Sequence, residues 1–230
     1  MIARPPLVVP LLALLALAAL TTGLVVDPAL VARLDAPVTD GLRAYAADRP
    51  TLVAVLRTAT DLAATLSFLA VGAAATILFA LRRDRPRAWF CATVTVAAPV
   101  SWQLGQWLLH RPRPADGFVT IAANGFPSGH TTNAAAAAFA VVLLVWPRVR
   151  RTGRLLVVVL AGAGALFIAA TRLVLLAHWP VDVIGGVLVA VTVVALAARL
   201  WSSRAGGPAA AGPVPGKVSS RDGSCEVRSS

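Results

Sequence analysis

The sequence predicts an all-α integral membrane protein: a bundle of six transmembrane helices, with interfacial helices between the first and second spans. Of its 230 residues, 58% are hydrophobic and only 13% are charged, whereas a soluble domain carries roughly 25% charged residues. The apolar residues form runs of roughly 20, the length that crosses a bilayer as a helix, and short basic segments separate the runs. Composition and spacing together favour one membrane bundle over one or two soluble domains.

Six apolar runs define the predicted spans, at residues 5–26, 62–81, 88–109, 131–146, 155–171 and 181–198. Between the first two runs, residues 27–61 mix aspartate and arginine with Leu, Val and Ala, which is typical of one or two amphipathic helices at the outer membrane interface. The first run also resembles a signal peptide, but at about 22 residues it is long for one. A single membrane domain is therefore predicted for residues 1–201.

Arginine clusters set the predicted orientation. They lie before the first span, between the second and third, between the fourth and fifth, and after the sixth: Arg4; Arg82, Arg83, Arg85 and Arg87; Arg148, Arg150, Arg151 and Arg154; Arg199 and Arg204. By the positive-inside rule these segments are cytoplasmic, which puts both termini inside the cell and residues 27–61, 110–129 and 172–180 outside. Residues 202–230 are rich in Gly, Pro, Ala and Ser, so a disordered cytoplasmic tail is predicted.

The net charge of +11 and the two cysteines argue against other classes of protein. A basic patch is the footprint of nucleic-acid binding, but here the arginines lie in loops between apolar runs, so no nucleic-acid partner is predicted. Cys91 lies in an apolar run and Cys225 in the polar tail, which indicates neither a disulfide framework nor a cysteine metal site. No metal and no cofactor are predicted, and the sequence does not indicate an oligomeric state.

All three histidines fall within, or at the edges of, two outward-facing segments. They are His110, His130 and His178. Ionisable groups near membrane depth are costly and by default mark functional sites. One face of the bundle is therefore predicted to carry the chemistry of the protein.

The stretch Pro127-Ser128-Gly129-His130 leads into the fourth span. Ser128 is a good N-cap, and Gly129 lets the backbone approach a ligand closely. Free N–H groups at a helix N-terminus bind anions such as phosphate, and His130 in the first turn could pass a proton to a leaving oxygen. The alternative is a simple helix cap with a polar interfacial histidine.

Arg172, His178 and Asp182 join the fifth and sixth spans. Pro180 suits the first position of the sixth helix, which places the histidine just before that helix and the aspartate in its first turn. At this spacing the carboxylate could accept a hydrogen bond from one imidazole nitrogen and leave the other as a nucleophile. Arg172 offers a planar fork of donors to phosphate oxygens. The alternative is an interfacial ion pair between Arg172 and Asp182.

A third polar stretch, residues 106–114, leaves the third span. Arg111 and Arg113 alternate with prolines, which stiffen the segment and fix the side-chain directions. The alternative is an ordinary interfacial exit, in which Trp107 lies in the aromatic belt and the arginines contact lipid headgroups. The three polar clusters lie on separate spans but at one face of the membrane. This shared location favours one phosphate site over a separate helix cap, ion pair and interfacial exit.

These three stretches resemble the signature of the type 2 phosphatidic acid phosphatase superfamily, the lipid phosphate phosphatases. The pattern of that family is Lys, six residues, Arg-Pro; then Pro-Ser-Gly-His; then Ser-Arg, five residues, His, three residues, Asp. The matching residues are Arg113 and Pro114; Pro127, Ser128, Gly129 and His130; and Arg172, His178 and Asp182, with Thr171 in place of serine and Gln106 in place of lysine. The resemblance covers about residues 61–200.

The resemblance implies a metal-independent membrane phosphatase that hydrolyses a lipid phosphate or polyprenyl diphosphate on the extracytoplasmic face through a phosphohistidine. His178 would be the nucleophile, Asp182 would orient it, and His130 would protonate the leaving group. The substrate oxygens would be held by Arg113, Ser128, Gly129, Arg172 and Gln106. Because an uncharged amide at Gln106 stabilises the transition state less than lysine, by on the order of a few kcal/mol, we expect Gln106→Lys to raise turnover.

Other functions remain as alternatives. The departure at Gln106 supports a non-catalytic relative that binds phosphorylated lipid, and a phosphotransferase would differ only in the acceptor that replaces water. Vanadate-dependent haloperoxidases share the pocket geometry but are typically soluble, and a transporter would place polar residues at the bilayer midplane. The favoured prediction is a multi-pass enzyme of the cell membrane whose partners are its lipid substrate and the bilayer.

Overall fold

Eight α-helices form within residues 1–203, the part of the chain that the computed structural model describes. They are α1 (Val8–Val26), α2 (Pro28–Ala47), α3 (Pro50–Thr60), α4 (Thr65–Leu81), α5 (Arg85–Leu109), α6 (Gly129–Val145), α7 (Arg151–Val174) and α8 (Pro180–Ser203). No strand occurs within these residues, so the all-α prediction is confirmed. The predicted tail lies outside the described residues, apart from its first two positions, which belong to α8.

Among residues 1–203, five stretches are long and apolar enough to span a membrane: Val8–Val26, Pro50–Leu81, Gly129–Arg148, Arg151–Val174 and Pro180–Ser202. They overlap the predicted first, second, fourth, fifth and sixth spans, but the second stretch begins at Pro50 and so includes α3, which the sequence predicts to lie at the interface. The predicted third span is α5, whose 25 residues are enough to cross a bilayer. Its sequence is less apolar because it contains Arg85, Arg87, Gln103 and Gln106. The chain is thus a multi-pass membrane protein, and the count of six spans stays a prediction.

The segment expected at the interface forms the two helices α2 and α3. The first of them begins after Asp27, whose carboxylate accepts a hydrogen bond from the Leu30 N–H at 2.9 Å and so caps the helix. Val31, Asp35 and Thr39, spaced by four residues, are all buried. One stripe of α2 therefore faces the protein, as helical periodicity requires, and that stripe includes a carboxylate.

α8 lies at the centre of the bundle. Of its most apolar membrane-length stretch, 67% is buried, against 11% for α1. Its fully buried residues Ala190, Val194 and Ala198 pack in one cluster with Phe90 of α5 and Ala136 of α6. Small side chains let helix backbones approach closely in membranes. The start of α8 is consequently held against the loops that carry the predicted site.

One end of the bundle gathers the N-terminus and the basic segments. The Ala3 N–H donates to the carbonyl of Leu143 at 3.0 Å. Arg199 donates to the carbonyl of Pro5 at 2.7 Å. The loops after α5 and α7 lie at the opposite end, where α2 and α3 contact them. This arrangement agrees with the positive-inside reasoning, and the cytoplasmic location of both termini stays a prediction.

Candidate active site

The three motif-bearing stretches meet and are joined by backbone hydrogen bonds. The Ser128 N–H donates to the carbonyl of Asp182 at 3.0 Å, and the Gly125 N–H donates to the carbonyl of Arg111 at 2.7 Å. A Cβ added at Gly186 would lie 2.8 Å from the carbonyl oxygen of Ser128, so a glycine in α8 permits this close approach. The loop after α5, the start of α6 and the start of α8 therefore form one continuous site.

His178 lies in the turn between α7 and α8 and is only 2% exposed. Its Nδ1 is 2.8 Å from the carbonyl oxygen of Gly125, and a carbonyl only accepts, so this nitrogen carries the proton. Its Nε2 is 2.9 Å from a terminal nitrogen of Arg113, and a guanidinium only donates. Assigned from these partners, the tautomer places on Nε2 the lone pair that a nucleophile requires, and in this structure that lone pair accepts from Arg113.

The protonation state of His178 follows from its surroundings. Burial lowers the pKa of His178 from 6.5 to about 4, because desolvation disfavours the imidazolium ion. Asp182 opposes this effect and raises the pKa, while Arg113 and Arg172 lower it further. The ring is therefore neutral at pH 7.

Asp182 is fully buried beside His178 but does not hydrogen-bond to it. Its Oδ2 lies 3.6 Å from the imidazole Nδ1, which is beyond hydrogen-bonding distance. That oxygen instead accepts the backbone N–H of Trp179 at 2.9 Å, one half of a capping box at the start of α8. The other oxygen accepts from Arg111 at 2.5 Å. The direct Asp–His hydrogen bond expected from the spacing is thus not formed, and the carboxylate pairs with Arg111 rather than Arg172.

Backbone carbonyl groups fix the guanidinium of Arg113. Its Nε donates to Ala123 at 2.6 Å, and one terminal nitrogen donates to Ala177 at 2.6 Å. The other terminal nitrogen donates to Asn124 at 2.8 Å. With the contact to His178, these bonds use four of the five guanidinium hydrogens. Arg113 is therefore held in place, with one hydrogen left for a substrate oxygen.

Arg172, near the end of α7, is a buried cation that makes no direct ion pair within the described residues, although Asp61 lies within electrostatic reach. Its side chain is 2% exposed, and one terminal nitrogen donates to the hydroxyl of Thr60 at 3.1 Å. Within residues 1–203 its Nε has no hydrogen-bond partner, and it forms no ion pair with a carboxylate. Since an unpaired buried charge is costly, this guanidinium is suited to bind an anion.

α6 begins at Gly129, directly after its N-cap Ser128. The Ser128 hydroxyl accepts from the N–H of Thr131 at 3.5 Å and from its hydroxyl at 3.0 Å. A Cβ at Gly129 would lie 3.0 Å from the ring of Trp102, so a larger residue would displace the start of the helix. The helix cap expected from the sequence is present, and His130 in the first turn after it lies within electrostatic reach of Arg113 and Arg172.

Arginine side chains supply the positive charge of the site, and two histidines lie among them. His130, half-buried in the first turn of α6, lies within electrostatic reach of His178, Arg113 and Arg172. The nearby carboxylate of Asp182 is already paired with a different arginine. Within the described residues, no three His, Cys, Asp or Glu side chains are grouped so as to hold a metal. The two guanidiniums, Arg113 and Arg172, therefore favour a dianion such as phosphate beside the two imidazoles.

Gln106, at the position of the expected lysine, is 7% exposed and supports the loop before α6. Its side-chain amide donates to the carbonyl of Pro127 at 3.1 Å. Its backbone carbonyl accepts from the Asn124 amide at 2.8 Å. The amide is therefore engaged with the backbone of the protein, and its direct contact with a substrate stays a prediction.

Sequence reasoning missed three residues of the site: Asp35, Thr60 and Gly125. Asp35 is 1% exposed and pairs with Arg111 at 2.5 Å. Thr60 accepts from Arg172, and the carbonyl of Gly125 accepts the imidazole N–H. A carboxylate on the buried stripe of an amphipathic helix was the available signal for Asp35. The other two contacts involve a hydroxyl and a backbone group, which leave no signal in the sequence.

Comparisons with known proteins agree with this bundle and site. The family description "PAP2 superfamily" matches residues 61–205. Among solved structures, the chain is similar to that titled "Crystal structure of the first transmembrane PAP2 type phosphatidylglycerolphosphate phosphatase from Bacillus subtilis". The TM-score is 0.68 at 20% identity, over 85% of this chain and 96% of that chain, which shows a shared fold. No curated protein matches the chain.

A helical membrane bundle with histidines, arginines and an aspartate at one end defines a class of membrane-embedded phosphate-site proteins. Because the family match extends over more than half of the chain, this protein belongs to the PAP2 superfamily. The resemblance based on the three motifs is thereby confirmed.

Proposed function

We propose that the protein is a metal-independent lipid phosphate phosphatase, working on the extracytoplasmic face through a phosphohistidine. One observation carries the proposal: Nε2 of neutral His178 accepts a hydrogen bond from Arg113, beside the guanidinium of Arg172, whose Nε has no hydrogen-bond partner within residues 1–203. Such a site combines a nucleophile with an anion pocket. Membership of the PAP2 superfamily supports a phosphatase of this class.

In the first step, the two guanidiniums and the N–H groups at the start of α6 hold the phosphate oxygens. Nε2 of His178 attacks phosphorus, and the bond from phosphorus to the leaving oxygen breaks with its electron pair on that oxygen. His130 donates the proton that the leaving oxygen requires. The Nδ1–H of His178 stays bonded to the carbonyl of Gly125, which stabilises the positive charge that the ring acquires.

In the second step, water attacks the phosphohistidine. His130, now neutral, accepts a proton from the water. The bond between phosphorus and Nε2 breaks, its electron pair returns to the nitrogen, and inorganic phosphate leaves. Arg113 and Arg172 stabilise the charge on the phosphoryl oxygens in both steps, so the protein ends in its starting state.

A lipid substrate is supported by an apolar cavity of about 680 Å³ among α4, α5, α6 and α7. Its lining includes Ala63, Asn133 and Ile168. These lie within four residues of Thr60, His130 and Arg172, respectively. A phosphate held at the site would therefore have space for an attached hydrocarbon chain next to it. Phosphatidic-acid-like lipids and polyprenyl diphosphates both have this form.

The test is phosphate release by protein purified in detergent, with a chelator present. Phosphatidic acid, a polyprenyl diphosphate and a soluble phosphomonoester are compared, with His178→Ala as the control. We expect release from a lipid substrate that persists in chelator and is lost in the variant. Release that stops on chelation would contradict metal independence, and lipid binding without any release would favour a non-catalytic relative.

A further inference from the structure

We propose that the interfacial helices α2 and α3 complete the active site, with Asp35 and Thr60 as positioning residues on its two sides. Both residues lie N-terminal to residues 61–205, which match the superfamily. The match therefore gives neither residue a role. This inference rests on the proposed function, because the groups that Asp35 and Thr60 hold are those next to the nucleophile and those that would bind phosphate.

On the nucleophile side, Asp35 anchors a buried ion triad. One of its oxygens accepts from Arg111 at 2.5 Å, and the other accepts the Val181 N–H at 3.0 Å. That N–H lies in the first turn of α8, where backbone donors have no partner within the helix. The second terminal nitrogen of Arg111 donates to Asp182 at 2.5 Å. Arg111 thus bridges two buried carboxylates, one from α2 and one from α8.

The triad acts on His178 by geometry and by charge. It fixes the first turn of α8, which begins two residues after the histidine. Two carboxylates and one guanidinium also leave one net negative charge, which favours the positive charge that the ring acquires on attack. Without the charge of Asp35, Arg111 would neutralise Asp182 and remove this effect. We therefore expect Asp35 to affect the chemical step more than substrate binding.

On the phosphate side, Thr60 aims the guanidinium of Arg172. Thr60 is the last residue of α3 and is 4% exposed. Its hydroxyl oxygen lies 3.1 Å from a terminal nitrogen of Arg172 and 3.0 Å from the hydroxyl of Thr171. It is the one hydrogen-bond acceptor that the described residues provide to this guanidinium. Loss of the hydroxyl should therefore weaken phosphate binding.

Apolar contacts already attach this segment to the rest of the protein. Ala46, Val53 and Leu56 form a buried cluster with Leu175 and Ala177, beside the nucleophile turn. A buried ion pair contributes little net stability compared with apolar packing of the same volume. Attachment of α2 and α3 to the bundle therefore does not explain why the Asp35 carboxylate is buried. Its contacts with Arg111 and with the start of α8, beside His178, do explain it.

For Asp35, the experiment compares Asp35→Asn with Asp40→Asn, a substitution at an exposed position of the same helix. Phosphate release from the preferred lipid gives kcat and KM, normalised to folded protein. We expect kcat to fall about 10-fold or more in Asp35→Asn, the effect of one charge-assisted interaction in the transition state, with KM within about twofold. Asp40→Asn should match the wild type.

For Thr60, the variants are Thr60→Val, Thr60→Ser and the exposed control Thr58→Val. We expect Thr60→Val to raise KM and the inhibition constant of inorganic phosphate about 10-fold, as loss of one hydrogen bond to a charged group predicts. Thr60→Ser keeps the hydroxyl and should restore both constants. A merely structural role would not give this rescue together with an effect on phosphate inhibition.

The outcomes separate the two proposals. A wild-type protein that releases no phosphate would overturn the proposed function and, with it, this inference. An active wild type with unchanged kcat in Asp35→Asn and unchanged phosphate inhibition in Thr60→Val would overturn this inference alone. If Asp35→Asn does not fold, the Thr60 series decides, because valine has nearly the shape of threonine.

Discussion

Replacing Asp182 with asparagine tests the buried polar network around the site. Both carboxylate oxygens are acceptors, one from Arg111 and one from the Trp179 N–H, and the side chain is fully buried. Asparagine has one acceptor oxygen and an NH₂ group that only donates. In either orientation it must therefore place a donor against a donor.

The expected cost follows from these two contacts. Loss of the charge-assisted bond costs about 1.5–3 kcal/mol, and a buried donor left without an acceptor costs about 1–3 kcal/mol. The sum is about 2.5–6 kcal/mol, which includes the cost of breaking a buried ion pair. In a domain of this size, 1 kcal/mol shifts the Tm by roughly 2–4 °C. We therefore expect the Tm of Asp182→Asn to fall by about 5–24 °C.

The assay is thermal unfolding of the purified protein in one detergent, followed by tryptophan fluorescence. Asp40→Asn is the matched control, because it makes the same chemical change at an exposed position and should melt within about 1 °C of the wild type. If Asp182→Asn also melts within that range, the two hydrogen bonds do not stabilise the fold and the reasoning is refuted.

Three further predictions concern activity. The lowered pKa of His178, about 4, keeps Nε2 unprotonated at pH values above 4. The acid limb of a pH profile of kcat/KM should therefore lie near pH 4. An acid limb at the ordinary histidine pKa of 6.5 would contradict this prediction. A Cβ at Gly125 would lie 3.0 Å from Asp182 Oδ2 and 3.3 Å from the carbonyl of Arg111. Gly125→Ala should therefore displace the Gly125 carbonyl that accepts the imidazole N–H, and reduce kcat by at least about 10-fold. A variant with wild-type kcat would show that the loop adjusts. Gln106→Lys should raise kcat several-fold, since a charged donor at the loop before α6 adds electrostatic stabilisation; a slower enzyme would indicate that the hydrogen bond to Pro127 matters more than the charge.

Local signals in the sequence predicted most of the helices. Apolar runs located five stretches able to span a membrane. Pro180 correctly marked the first residue of α8, and Ser128 correctly marked the N-cap of α6. These signals work because helix propensity, capping and burial in lipid depend on a few neighbouring residues. α5 gave a weaker signal because it carries Arg85, Arg87, Gln103 and Gln106, of which Gln106 is buried against the loop before α6.

Contacts between distant segments were harder to predict. Spacing alone suggested that Asp182 would accept the imidazole N–H, but Gly125, on a loop more than fifty residues earlier, is the actual acceptor. The pairing of Arg111 with Asp35 depends on how an interfacial helix packs against the bundle. Sequence patterns carry little information on such packing, since many placements would bury the same apolar stripe. The predicted contact of Gln106 with substrate likewise depends on a loop whose path the sequence does not fix.

Trapping the covalent intermediate tests the central claim most directly. The protein would be mixed with lipid substrate carrying a radiolabelled phosphate, denatured in alkali within the first turnover, and separated from lipid. We predict label on the wild-type protein that survives alkali and is lost in acid, as phosphohistidine requires, and none on His178→Gln. Label that remains on His178→Gln, or turnover by that variant at the wild-type rate, would contradict the assignment of His178 as the nucleophile.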